Sequence, residues 1–168
     1  MSTPAFTIVP VRTDLDLSHV RTLFAAYVKW LDLDLSFQGY QAEIDHLPAN
    51  YIPPLGDLFL AKNTTTGEAV GCVAFKEFPS TTLPTCEIKR LFVTPAGRGS
   101  GLGRALADRT IQEARDRGYA LMKLDTLPDR MGEAVKLYSR LGFVECEQYY
   151  ATPLVNTKFM ELDLHLKP

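Results

Sequence analysis

Four glycines stand at alternate positions in "VTPAGRGSGLGRALAD", Val93 to Asp108: Gly97, Gly99, Gly101 and Gly103. Arg98 and Arg104 stand among them. A strand-like apolar run precedes this stretch and a helical pattern follows it. Glycine in a helix costs about 1 kcal/mol relative to alanine, so the cluster needs a reason. A strand feeding a glycine loop feeding a helix makes an anion site. The free amides at the helix start point at the ligand, and the helix dipole favours negative charge. Glycine also lets the backbone close on a ligand and take positive φ. The chemistry indicated is phosphate binding. The alternative is a tight strand-to-helix turn that holds nothing.

Three phosphate patterns can be separated here. A P-loop needs G-x-x-x-x-G-K-[ST], and no glycine in this stretch is followed by lysine. A dinucleotide loop needs G-x-G-x-x-G/A. Its last slot falls on Leu102, Arg104 or Leu106, so it fails in every register. The pattern R/Q-x-x-G-x-G/A fits at Arg98, Gly101 and Gly103. In this the chain resembles the GCN5-related N-acetyltransferase (GNAT) superfamily, whose members use acetyl-CoA. A second stretch, "EAVKLYSRLGF", is similar to that family's A-x-x-L-Y-x-x-x-G-F motif. The resemblance covers about residues 57–166.

The resemblance implies roles for particular residues. The backbone of Leu91, Phe92 and Val93 would pair with the pantetheine arm of acetyl-CoA. The loop amides of Arg98, Gly99, Ser100, Gly101, Leu102, Gly103 and Arg104 would hold the pyrophosphate, and no metal is implied. One departure stands out. Many members end the fifth strand with an asparagine that touches the cofactor, whereas this chain has Asp125 and Thr126 in "LDTLP". Thr126 would replace part of that contact.

Amide formation from a thioester needs a neutral amine, because an ammonium group near pKa 10 has no lone pair to offer. The thiolate leaves readily, with a thiol pKa near 8.5, and an acid beside it still lowers the barrier. Glu87 in "EIKRLFV" is the expected base, at the place of a glutamate in the superfamily's histone acetyltransferases. A surface glutamate paired with Lys89, or a water chain as base, is the alternative. Strand alternation puts Glu87, Lys89, Leu91 and Val93 on one face. Tyr138 is the expected acid. It shares a helical face with Ala134 and Leu141, so its ring packs while its hydroxyl reaches the site.

The acceptor is expected to be a primary amine of a small molecule, an amino acid or related metabolite among them. Trp30, Phe37 and Tyr149 are candidate acceptor contacts in the aromatic segments "YVKWLDLDLSFQGY" and "EQYYATPLVNTKF". Lys89 and Arg90 are candidates for binding a carboxylate. Tyr149 and Tyr150, if in a strand, point to opposite faces, so only one meets the site. A protein or peptide acetyltransferase and a non-catalytic acyl-CoA-binding protein are the other readings.

The elements that must position these residues follow from periodicity. Leu17, Val20, Leu23, Phe24, Tyr27, Val28 and Leu31 recur at helical spacing. A shorter helix is expected over 40–47, before Pro48. A first strand is expected at 5–11, and strands at 58–61, 70–78 and 85–93 read as an antiparallel meander. A helix over 102–117 ends at Gly118, and a short one ends at Gly142. Strands flank them in "YALMKLDTL", "FVECEQYY" and "TKFMELDLHL". The fold class is α+β, a mixed α/β arrangement. A mostly antiparallel sheet of about seven strands is flanked by about four helices in one domain, 1–168.

Composition sets the surroundings. Net charge is −2 and 46% of the 168 residues are hydrophobic. Neither a nucleic acid nor a membrane is expected as partner. Cys72, Cys86 and Cys146 have neither disulfide-framework nor zinc spacing, and read as small buried hydrophobes. The N-terminal stretch lacks a leader pattern, which suggests a cytoplasmic protein. A homodimer is one assembly left open.

Overall fold

The computed structural model describes residues 5–80 and 82–166. The first four residues of the N-terminal stretch, and Thr81 in the 79–84 turn, lie outside that range. Strands β1 (Phe6–Pro10), β2 (Asp57–Asn63), β3 (Ala69–Phe78), β4 (Thr85–Val93), β5 (Leu121–Thr126), β6 (Val144–Glu145) and β7 (Lys158–Asp163) form one sheet. Its order is β1-β2-β3-β4-β5-β7-β6. Every neighbouring pair is antiparallel except β4 and β5, which are parallel. The helices are α1 (Asp14–Leu31), α2 (Tyr40–Asp45), α3 (Leu102–Asp116) and α4 (Gly132–Arg140).

Two apolar clusters lie on opposite faces of the sheet. One joins Leu102, Leu106 and Ile111 of α3 and Tyr138 of α4 to Phe59, Val73, Phe75 and Ile88. The other joins Val20, Phe24, Tyr27 and Leu31 of α1 to Leu58, Leu60, Cys72 and Phe92. Alternation along β2 sends Phe59 to one cluster and Leu58 and Leu60 to the other, as a strand buried on both faces requires. Helix α1 starts where the sequence stops being extended. The Thr13 side chain accepts the Asp16 N–H at 3.1 Å, and Asp16 then pairs with Lys62 at 2.7 Å.

Two features shape the site. Opposite Cys72 and Ala74 of β3 stand Phe92 and Lys89 of β4, so Val73 faces two residues, Arg90 and Leu91. This is a β-bulge, and Arg90 takes φ +60° to make it. The bulge reverses the alternation expected from sequence. Leu91 and Val93 join Ile88 on the α3 face, while Phe92 packs on α1. The second feature is a splay. Strands β4 and β5 pair only from Thr85–Leu121 to Glu87–Lys123, and then part.

Some boundaries differ from expectation. Helix α2 ends at Asp45 rather than 47. The stretch "FVECEQYY" is a strand only over Val144–Glu145. Beyond it the aromatic rings find burial without alternation. Tyr149 and Tyr150 pack edge-on against Phe159 at 5.0 and 5.3 Å. Cys72 and Cys86 are buried, whereas Cys146, just past β6, is partly exposed.

Candidate active site

The glycine stretch forms the turn from β4 into α3. Gly99 and Gly101 have φ +78° and +76°, where no Cβ is comfortable. Gly101 is the N-cap of α3 and brings no capping side chain. The first backbone bond of the helix runs from the Ala105 amide to the Gly101 carbonyl, 3.0 Å. The amides of Leu102, Gly103 and Arg104 therefore stand open at the helix start, where an anion is favoured. Gly97 has a different reason. A Cβ there would lie 2.9 Å from Val93 and 3.2 Å from the Val70 carbonyl, so glycine is needed for close packing. The Ser100 hydroxyl fixes the turn by donating to the Gly97 carbonyl at 2.7 Å.

From this loop a groove runs between β4 and α4. Its walls are Leu91, Phe92, Val93, Trp30, Ala134 and Leu137, with Arg98 and Arg130 at its rim. Arg98 donates to the Val93 carbonyl at 3.1 Å and stacks over Trp30, 5.5 Å from the ring centre. Leu91 and Met131 line both this groove and a second cavity, which fills the splay between β4 and β5. That cavity is walled by Tyr27 and Leu31 of α1, Gln38, Leu154, and the two strands. Lys89, Asp125, Thr126 and Tyr138 line it.

Hydroxyls that line this cavity, those of Thr126 and Tyr138 included, make no hydrogen bond among the described residues. Thr126 Oγ1 is buried and has no hydrogen-bond partner among the described residues. Tyr138 is buried beneath α4, and no hydrogen bond of the described residues involves its hydroxyl. Burial raises the Tyr138 pKa, with smaller contributions from Tyr27 and Asp125. Its hydroxyl is thus held protonated.

The acetyltransferase (GNAT) family profile matches residues 24–143. An uncharacterised N-acetyltransferase of Schizosaccharomyces pombe is 37% identical over 157 residues, covering 94% of each chain. This chain belongs to the GNAT acetyltransferase family. A proposed acyl-CoA N-acyltransferase from Klebsiella pneumoniae is similar in structure, with a TM-score of 0.71 and 28% identity. That similarity covers 95% of this chain and 97% of the other. A Salmonella typhimurium protein, solved with its cofactor acetyl-CoA, shares the fold at TM-score 0.66 and 23% identity, over 95% and 94% of the two chains. Membership of the family makes this protein an N-acyltransferase.

Within the GNAT fold, the residues named from sequence fall into two places. Leu91, Phe92, Val93 and the loop from Arg98 to Arg104 line or lead into the groove, as does Trp30. Trp30 was expected at the acceptor. It is instead beside Arg98 and 6.2 Å from Phe92, because its turn of α1 overlies the end of β4. Phe37 packs partly buried against the α1 cluster.

Glu87 is buried among other groups. Its Oε2 accepts the Tyr149 hydroxyl at 2.7 Å, its Oε1 lies 3.9 Å from Lys89, and it does not line the cavity that holds Tyr138. The carboxylate that does line it is Asp125. Asp125 Oδ2 accepts the Tyr150 hydroxyl at 2.7 Å, and its Oδ1 lies 3.6 Å from Lys89. The strand placement of Tyr149 and Tyr150 is therefore corrected. The segment is not a strand; the Tyr150 hydroxyl meets Asp125 of the cavity, and the Tyr149 hydroxyl meets Glu87 outside its lining.

The shared face of Glu87, Lys89, Leu91 and Val93 is also corrected, because the bulge at Arg90 separates the first two from the last two. Arg90 is not free to meet a ligand. Its guanidinium donates to Glu43 at 2.7 Å and to Gln38 at 3.0 Å, and sits 5.5 Å from the Tyr40 ring centre. Sequence reasoning missed Asp125 and Gln38 as site residues, and chose Tyr149 over Tyr150. The signal for Asp125 was present in "LMKLDT". Met122 and Leu124 face the core, so Lys123 and Asp125 share the other face.

Proposed function

We propose that this protein is an acetyl-CoA-dependent N-acetyltransferase acting on a primary amine of a small molecule, by direct attack in a ternary complex. The observation that carries this reading is continuity. The open amides of the glycine turn, the groove along Leu91–Val93 and the cavity holding Tyr138 form one path.

The residues fit acetyl-CoA on two counts. The unpaired amides at Leu102, Gly103 and Arg104 suit a pyrophosphate. The partnerless Thr126 hydroxyl lies where the thioester end would arrive. Acetyl-CoA would supply the activated acyl group. Tyr138 holds a proton beside that end and gives it to the departing sulfur. The carboxylates Glu87 and Asp125, on either side of Lys89, are the proton sink for the amine. The C–N bond forms as the C–S bond breaks; one proton of the ammonium group goes to the carboxylate, and the second replaces the proton that Tyr138 gives to the thiolate.

The walls of the cavity, from α1, the 36–38 turn and Leu154, favour a small acceptor over an extended peptide. An aqueous, cytoplasmic setting agrees with a net charge of −2 and with no helix of the described residues being long and apolar enough to cross a membrane.

The test is release of free CoA from acetyl-CoA with a panel of small amines and short peptides. Turnover with small amines is expected. Turnover with peptides alone would replace the small-molecule reading. Tight acetyl-CoA binding with no turnover on any amine would leave an acyl-CoA-binding protein.

A further inference from the structure

The splay cavity carries more information about its acceptor than its size. Its charged groups can be paired off. Arg90 lines it, but its charge is answered by Glu43 at 2.7 Å. Lys89 lies between two carboxylates, 3.6 Å from Asp125 and 3.9 Å from Glu87. No other cation reaches either carboxylate at ion-pair distance among the described residues. Lys123 pairs with Glu161 at 3.0 Å, and Lys76, opposite Glu87 in the β3–β4 register, makes no ion pair within 4 Å among the described residues. Two carboxylates thus share one ammonium group at ion-pair distance, which leaves one negative charge without a close partner in a mostly buried site. A buried charge in this state is costly unless something answers it.

Of the two carboxylates, Asp125 faces the cavity and Glu87 stands behind it, under Tyr149. Asp125 is also held in place. Tyr150 donates to it at 2.7 Å, and Gln38 reaches the Tyr150 hydroxyl at 3.4 Å. The same cavity contains the buried, partnerless Thr126 hydroxyl, an independent mark of a ligand site.

We propose that Asp125 is the carboxylate that receives the acceptor's ammonium group, and that it selects amines with no carboxylate beside the reacting nitrogen. This rests on the acetyltransferase reading above and narrows its acceptor. The ammonium group completes the charge balance left open by Lys89. A carboxylate on the neighbouring carbon would instead be brought against Asp125, with Arg90 already committed to Glu43. The sequence-based suggestion that Lys89 and Arg90 bind an acceptor carboxylate is thereby replaced.

The test compares amines with their carboxylated partners: phenethylamine with phenylalanine, and butylamine with norvaline. The expected result is a kcat/KM at least tenfold higher for each amine than for its partner. Asp125→Asn should raise the amine KM at least tenfold, keep the acetyl-CoA KM within twofold, and erase the preference. Tyr150→Phe, which only loosens the carboxylate, should raise the amine KM a few-fold with the same acetyl-CoA KM. It carries the test if Asp125→Asn does not fold. Calorimetric titration of the amines in the presence of CoA reads the same selectivity without turnover. Selective amine binding with no turnover would count against the catalytic reading alone. Equal use or binding of the carboxylated partners, or amine binding indifferent to both substitutions, would overturn the role of Asp125.

Discussion

Arg90 and Glu43 form a buried ion pair at 2.7 Å that ties the bulge of β4 to α2. The pair is not isolated. Tyr51 donates to the same carboxylate, and Gln38 accepts from Arg90 at 3.0 Å. The side chain of Arg90 thus offsets the strain of its left-handed backbone, φ +60°. Removing one partner of a buried pair leaves the other charge unanswered, at a cost of about 3–5 kcal/mol. Glu43→Gln should lower stability by about that amount in urea unfolding at neutral pH. Arg90→Lys should not rescue it, since one ammonium cannot reproduce the forked contacts. A loss below about 1 kcal/mol, the range of surface pairs, would show that the pair does not fix the bulge.

Tyr138 supplies the second prediction. Burial raises its pKa above the ordinary 10.0, with smaller contributions from Tyr27 and Asp125. The sign follows directly. A raised pKa keeps the proton on the hydroxyl to higher pH, so the acid form is complete at neutrality and past the ordinary value. Tyr138→Phe should lower kcat about 100-fold, the low end for acid catalysis, with acetyl-CoA affinity nearly unchanged. The ratio of wild-type to Tyr138→Phe kcat, at saturating amine, should stay flat from neutrality to about pH 10. A ratio that falls with an apparent pKa near 8 would remove Tyr138 from the role.

The glycines of the loop should respond differently to alanine, because each is glycine for a different reason. Gly101→Ala meets no atom within 4 Å, so its cost is conformational, about 1–2 kcal/mol at φ +76°. The turn that aims the amides would relax, and acetyl-CoA binding should weaken at least tenfold. Gly97→Ala meets Val93 at 2.9 Å and should destabilise the fold. Gly103→Ala meets only Leu137 and Val93, at 3.8 and 3.9 Å, ordinary contacts. It should be tolerated. Thermal melts with and without acetyl-CoA separate the three. Equal ligand-induced shifts in wild type and Gly101→Ala would remove the loop from cofactor binding.

What was legible in the sequence was what local chemistry encodes. Positive-φ glycines, an open helix start and the motif of α4 leave marks within a few residues, so the loop and Tyr138 could be named. The bulge leaves no such mark. It is centred on Arg90, a non-glycine residue whose backbone is held by Glu43 and Gln38 from elsewhere in the chain. Alternation counted through it therefore put Leu91 and Val93 on the wrong face. The "EQYY" segment failed for a related reason. Its aromatic content suggests a strand, but its rings are buried against Phe159 and Phe78, contacts that only the tertiary fold provides. The same contacts bring the Tyr150 hydroxyl to Asp125 and the Tyr149 hydroxyl to Glu87. Asp125 was visible only as a departure from the family asparagine until the splay of β4 and β5 turned it into the cavity.

A last prediction concerns acid stability, remote from the site. Asp57 at the start of β2 is held between Arg12 at 2.7 Å and Arg117 at 2.6 Å. Burial alone would raise its pKa, but hydrogen bonds from Arg12, the Leu58 amide and Arg117 outweigh it and hold the carboxyl below its ordinary value. A carboxyl depressed in the folded state stabilises the fold above its unfolded pKa, near 3.9. That contribution is lost as pH falls through the lower, folded value. Arg117 also donates to the Gly56 carbonyl and to Glu113, so Asp57 closes the join of β2, α3 and the loop before β2. Asp57→Asn should therefore cost about 3 kcal/mol at pH 7, as for one partner removed from a buried pair. Its urea midpoint should fall less steeply than that of the wild type as pH is lowered from 4 to 2, because the wild type alone has this carboxyl to protonate. Parallel acid titrations of the two midpoints would show instead that Asp57 is not linked to folding through its charge.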